Sequence, residues 1–198
     1  MQLVRLGSRS FYRWAIPDDA LGPDSICYAA GVGLDFSFER KTHERFNCKW
    51  ELFDPTPVCT DYMATVPTED WFRFHPVGLW NVGGPTVFHY GPFHRGADSG
   101  SITDGRVAAT LVLECKTVAA IMRELGHSRL DILKLDIEGA ENAVVRDMLA
   151  NGILPRLLLV EFHSGAEDDQ SHGALLDVGY RMLTDGGGQG HRTYALEA

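Results

Sequence analysis

The sequence has too little positive charge to grip a polyanion: 18 lysines and arginines stand against 27 aspartates and glutamates, a net charge of −9. Holding nucleic acid by its phosphates needs a basic surface that displaces counterions, so the balance predicts no nucleic-acid partner and favours a small-molecule ligand. Long apolar runs are also missing. Met1 to Ser10 carries Arg5 and Arg9 but no stretch suited to a signal peptide or a membrane span, which predicts no membrane partner. Cysteine is scarce, and Cys27, Cys48, Cys59 and Cys115 form no C-x-x-C pair. That absence argues against a thiolate metal site or a disulfide framework and predicts reduced, mostly buried thiols in a cytoplasmic setting. Repeats, low-complexity tracts and linkers are absent too. With 44% hydrophobic residues in 198, the expectation is one domain over residues 1–198 with a full core.

What the chain does contain is an alternation of strand-like and helix-like pattern, the signature of a mostly parallel sheet with helices on both faces. Ser25 to Ala30 predicts a strand that runs into Gly31-Val32-Gly33, after which Asp35 is placed to cap a helix from Phe36 to Asn47. A second strand, Cys48 to Phe53, stops at Asp54-Pro55-Thr56-Pro57. Phe72 to Asn81 reads as a third strand and Thr86 to Tyr90 as a short extended piece. Residues 91–105, with Ser99 and Ser101, read as a long loop able to cover a site. A strand from Ala109 to Cys115 and a Thr117-capped helix to Leu125 follow. Leu130 to Asp136 and Leu157 to Phe162 are continuous apolar runs of the kind buried on both faces. Between them a helix is predicted from Ala140 to Ala150. At the C-terminal end come a helix near Asp169 to Val178 and two strands, Tyr180 to Thr184 and His191 to Leu196, expected to pair antiparallel.

In open sheets of this class ligands sit at the carboxyl ends of the strands, where strand order reverses. Gly31 and Gly33 allow close backbone approach there, and the amides opening the next helix can face a polar group. Asp54 stands 21 residues after Gly33, where an acidic side chain accepts hydrogen bonds from both ribose hydroxyls of an adenosine cofactor. A dinucleotide fingerprint wants a third glycine three residues after Gly33; the residue is Phe36, which disfavours NAD and leaves S-adenosylmethionine.

Four stretches carry a resemblance to a known family: Tyr28-Ala-Ala-Gly-Val-Gly-Leu-Asp-Phe-Ser-Phe38, Glu51-Leu-Phe-Asp-Pro55, Asp131-Ile-Leu-Lys-Leu-Asp-Ile-Glu-Gly-Ala-Glu141 and Leu158-Leu-Val-Glu-Phe-His163. In these the chain resembles the FkbM-like methyltransferases. The resemblance implies a class I, Rossmann-like three-layer α/β sandwich: a mostly parallel seven-stranded sheet with an antiparallel C-terminal strand. It also implies S-adenosyl-L-methionine as cofactor and O-methylation of a hydroxyl on a sugar or other small molecule. The cofactor-binding set is then Gly31, Gly33, Asp35, Asp54, Pro55 and Ser101. One position departs from the common class I pattern: Ala29 stands where many members carry an acid two residues before the first glycine, so the methionine amine must find Asp35 or the backbone instead.

Asp136, Glu161 and His163 fall at strand ends on the same rim and are the candidate catalytic residues. Methyl transfer needs in-line placement of an oxygen, helped by a base, which His163 or Asp136 would supply. The same cluster is of a kind that can hold a divalent ion, although no H-E-x-x-H or comparable spacing calls for a resident metal. Glu138 and Glu141 also suit a helix N-terminus, and Lys134, inside an apolar strand, suits an ion pair. The remaining histidines, His43, His75, His89, His94, His127, His172 and His191, are read as surface or loop residues. Two other functions stay open: a non-catalytic S-adenosylmethionine-binding regulatory or partner domain, and an NAD-dependent oxidoreductase.

Overall fold

Alternate residues of Leu157-Leu-Leu-Val160 enter two different cores, which happens only when a strand is covered on both faces. The computed structural model, describing residues 2–8, 14–90, 109–163, 165–185 and 191–197, shows a sheet built on this rule. In chain order the elements are β1 (Leu3–Leu6), β2 (Trp14–Pro17), β3 (Ile26–Ala30), α1 (Ser37–Phe46), β4 (Lys49–Phe53), α2 (Pro57–Thr65), β5 (Phe72–His75), β6 (Gly78–Leu79), β7 (Gly84–Tyr90), β8 (Ala109–Lys116) and α3 (Val118–Leu125). Then follow β9 (Ile132–Leu135), α4 (Glu141–Ala150), β10 (Leu157–Glu161), α5 (Ala166–Asp177), β11 (Tyr180–Asp185) and β12 (His191–Leu196).

Seven strands form the main sheet in the order β11-β12-β10-β9-β3-β4-β5. All neighbours from β10 through β5 run parallel, and β12 is antiparallel to both β10 and β11. The reversed C-terminal strand is as expected, and it is inserted between β10 and β11 rather than added at the edge. One core packs Tyr28, Leu133, Leu158 and Val160 against α3, α4 and α5 through Ile121, Val144, Met148 and Leu175. The other packs Cys27, Trp50, Leu52 and Leu159 against α1, α2 and the β1–β2 hairpin through Phe38, Met63, Trp14 and Ile16. Three layers result, with β9 the middle strand of the seven and strand order reversing between β3 and β9.

Several local expectations are corrected. Phe72 to Asn81 is not one strand: β5 ends at His75, Pro76 follows, and Gly78–Leu79 pairs with β8 in a separate three-stranded sheet ordered β6-β8-β7. The expected strand at Ala109 to Cys115 therefore lies outside the main sheet. Helix α2 and the hairpin β1–β2 were not foreseen. Thr117 does cap α3, its side chain accepting from the amide of Ala120, and Gly126 ends that helix in a left-handed conformation. All four cysteines are free and buried. Among the described residues no helix is long and apolar enough to cross a membrane, which says nothing of a β-barrel.

Candidate functional site

The turn after β3 is shaped from two sides. Gly31 (φ +76°) donates its amide to the carbonyl of Phe53, and the amide of Asp136 donates to the carbonyl of Ala30. A Cβ on Gly31 would lie 1.6 Å from the carbonyl oxygen of Asp136. Glycine is thus required at position 31 by the neighbouring strand end, a packing reason separate from the ligand approach that the sequence suggested. Gly33 (φ +55°) differs: among the described residues nothing lies within 4 Å of where its Cβ would be. Its Cα faces open space, and its amide donates 2.9 Å to Oδ2 of Asp54.

Asp54, just past β4, therefore touches the glycine turn as expected. Its Oδ1 also accepts from the amide and hydroxyl of Thr56, at 2.9 and 2.5 Å. Pro55 leans toward β6, its Cγ 3.1 Å from where a Cβ on Gly78 would stand. Asp35 does not cap a helix starting at Phe36, because α1 begins at Ser37 with Phe36 in the cap position. Asp35 instead accepts from the amide of Ser37 (2.8 Å) and the hydroxyl of Ser8 (2.6 Å), tying the N-terminal segment to the turn. Against the burial that would raise it, these bonds hold its carboxyl below the usual range. Ser101, with the rest of the 91–105 loop and His94, lies outside the described residues.

The catalytic candidates do come together. Asp136 follows β9, Glu161 ends β10, and His163 stands two residues on; one potential ligand atom from each lies within 4.8 Å of the other two. Nδ1 of His163 is 3.0 Å from Oε1 of Glu141, while its Nε2 lies 3.9 Å from Glu161 and 4.0 Å from Glu138. Glu141 is fully buried and also accepts from the amides of Ile137 and Gly139. It serves as more than a helix-dipole carboxylate, since it fixes both the loop after β9 and the orientation of His163.

His191 corrects the reading of surface histidines. It is buried, stacks on Trp14 with centroids 4.6 Å apart, and places Nε2 2.6 Å from Oε2 of Glu161. It stands directly opposite Glu161 in the antiparallel register of β10 and β12. His75 is likewise engaged, 2.6 Å from Glu51 and stacked on Phe53.

Charge is unevenly held across this rim. Burial, with the Glu161 and Glu138 charges, pushes the Asp136 carboxyl up to about 8 from an ordinary 3.8, against the pull of Lys134 and His163. Although its burial works the other way, the bond and charge of Glu141, with Glu138 and Glu161, raise His163 to about 9. A base at neutral pH is therefore better supplied by Asp136 than by His163, which stays protonated. Glu161 is lowered despite burial, chiefly by its bond to His191. Beneath the rim Lys134 is buried on β9, facing α1, with Nζ 2.9 Å from Oε1 of Glu39. That is the ion pair its place in an apolar strand implied. The second oxygen of Glu39 is buried with no hydrogen-bond partner among the described residues.

An electrophile seated over Gly33 would thus meet, along one rim, a carboxyl with a proton affinity near neutral and an oriented imidazolium. Such a rim can bind a hydroxyl, orient its oxygen and take its proton.

Residues 26–182 match the methyltransferase FkbM domain family. The structure is similar to the crystal structure of a methyltransferase FkbM from Methylobacillus flagellatus KT, at 13% identity and a TM-score of 0.51. That similarity, which shows the fold, covers 91% of this chain, and the chain spans about half (48%) of the other protein's length. No curated protein matches the sequence.

Proposed function

Because the chain belongs to the FkbM methyltransferase family, we propose that it is a class I, S-adenosylmethionine-dependent O-methyltransferase acting on a hydroxyl of a sugar or other small molecule. The observation that carries this reading is the contact between Gly33 and Asp54 beside the rim of Asp136, Glu161 and His163.

The residues suit the cofactor. Gly33 leaves free the space a side chain would fill, and Asp54 sits against it at the end of the adjacent strand. Asp54 places carboxylate oxygens against the glycine turn, where a ribose hydroxyl would find a charged acceptor in place of one of its weaker partners, such as the Cys59 thiol. Phe36 packs among Tyr62, Trp71 and Phe72, filling the position a dinucleotide site keeps as glycine. When bound, S-adenosylmethionine supplies a methyl group already made electrophilic by its sulfonium. Asp136 accepts the acceptor's hydroxyl proton at its carboxylate. His163, held by Glu141, presents a positive Nε2 that orients the oxygen, and His191 keeps Glu161 facing the same space. The four buried thiols suit a reducing, cytoplasmic compartment.

A second reading, a cofactor-binding partner domain without turnover, is favoured by Ala29, which is wholly buried where many class I members offer an acid to the methionine amine. Incubation with S-adenosylmethionine and a panel of sugars and phenols separates the two. The enzyme reading predicts S-adenosylhomocysteine release, with Asp136→Asn lowering turnover about 10²-fold or more while far-UV circular dichroism is unchanged. Unaltered turnover in the variant contradicts the role of Asp136, and cofactor binding without turnover on any acceptor favours the second reading.

A further inference from the structure

Among the described residues, no hydrogen bond of the rim engages Nε2 of His163. His163 is fixed through Nδ1 by Glu141, a buried carboxylate itself anchored to two backbone amides. Its Nε2 is left 3.9 Å from Glu161 and 4.0 Å from Glu138, beyond hydrogen-bond reach of either. Glu161 is fixed from behind in the same way: His191, buried and stacked on Trp14, holds Oε2, and Oε1 is the oxygen nearest His163. Asp136 completes the set, with the three ligand atoms within 4.8 Å of one another. Metal-oxygen and metal-nitrogen bonds of about 2.0–2.2 Å place two donors roughly 3–4.4 Å apart; His163 Nε2 and Glu161 Oε1, at 3.9 Å, fall in this range, and the whole set, within 4.8 Å, needs only a small closure to reach it. An imidazole whose other nitrogen is held by a carboxylate is the usual state of a metal-bound histidine. Charge points the same way, since Asp136, Glu138, Glu141 and Glu161 gather around one imidazole.

We propose that Asp136, Glu161 and His163 bind a divalent cation, with Glu141 and His191 orienting the two ligands they touch. Two carboxylates and one imidazole suit Mn²⁺ among the common divalent ions and leave coordination positions open. Oxygen ligands of the acceptor fill those positions, so the substrate class is a molecule offering a hydroxyl to the metal. This refines the methyltransferase reading and rests on it only in placing the acceptor at this rim. Binding the ion requires His163 to give up its Nε2 proton. In the metal-loaded protein His163 and Asp136 are then ligands, in place of the orienting cation and the base, and the ion supplies the Lewis acidity that lowers the pKa of a hydroxyl.

The test uses the full chain, stripped with EDTA and free of cofactor, titrated with MnCl₂ by calorimetry and by loss of the free-ion electron paramagnetic resonance signal. One Mn²⁺ per chain is expected, with binding weakened at least tenfold in His163→Ala and in Glu161→Gln, and about tenfold in His191→Gln. Circular dichroism identifies any variant that misfolds, leaving the others to decide. No saturable uptake by the wild type, or uptake unchanged in the folded ligand variants, overturns the proposal. S-adenosylmethionine titrated into the same stripped protein separates the two claims. Cofactor binding without Mn²⁺ uptake removes the metal and keeps the methyltransferase; Mn²⁺ uptake without cofactor binding does the reverse.

Discussion

Gly31 and Gly33 look alike in the sequence and do different work. At Gly31 a methyl group would collide with the backbone of Asp136, which cannot yield without moving the end of β9. Gly31→Ala is expected to cost about 3 kcal/mol or more in urea unfolding, from overpacking added to a left-handed backbone. Gly33→Ala meets nothing within 4 Å among the described residues and is expected to cost only about 1 kcal/mol of backbone strain. Equal losses at the two positions would contradict this division. The sequence pointed to both glycines and to Asp136, Glu161 and His163, because strand ends and residue types are local signals. His191 escaped it, and Glu141, named at the rim, was not read as the partner of His163. His191 matters through its register opposite Glu161, and Glu141 through a side chain that turns back toward the loop before it; neither is readable from spacing along the chain.

At the scale of elements, the strands of the main sheet were legible wherever burial on both faces made them predominantly apolar, as in β9 and β10. Helix α3 was legible from its cap and its closing glycine. Helix α2 was not, because Pro57, which stops a strand, also opens a helix at its first position, and the two uses look the same in sequence. The small β6-β8-β7 sheet was missed for a related reason: Pro76 breaks a run of strand-like residues that then pairs elsewhere. The union of α1 with the sheet depends in part on Lys134 and Glu39, one charged residue from each side of a buried layer. Lys134→Met leaves the Glu39 charge buried and alone, at an expected cost of about 3–5 kcal/mol, and adding Glu39→Gln is expected to restore most of it. Urea denaturation of the wild type, single and double variants checks this, and a double variant no more stable than the single one contradicts it.

Taken whole, the molecule is a parallel sheet between two cores, and its order reverses beside the strand that carries the glycine turn. That reversal draws the ends of β3, β4, β9 and β10 to one rim, so the strand-end residues from Gly31 to His163 lie along one edge of the sheet. The family match covers the same span, from 26 to 182. Isothermal titration calorimetry of the full chain with S-adenosylmethionine, S-adenosylhomocysteine and NAD, in the wild type and in Gly33→Val, tests the central claim most directly. The account predicts one site for the first two ligands, none for NAD, and loss of that site in a Gly33→Val protein that remains folded. Binding of NAD alone, or equal S-adenosylmethionine binding with valine at position 33, would contradict it.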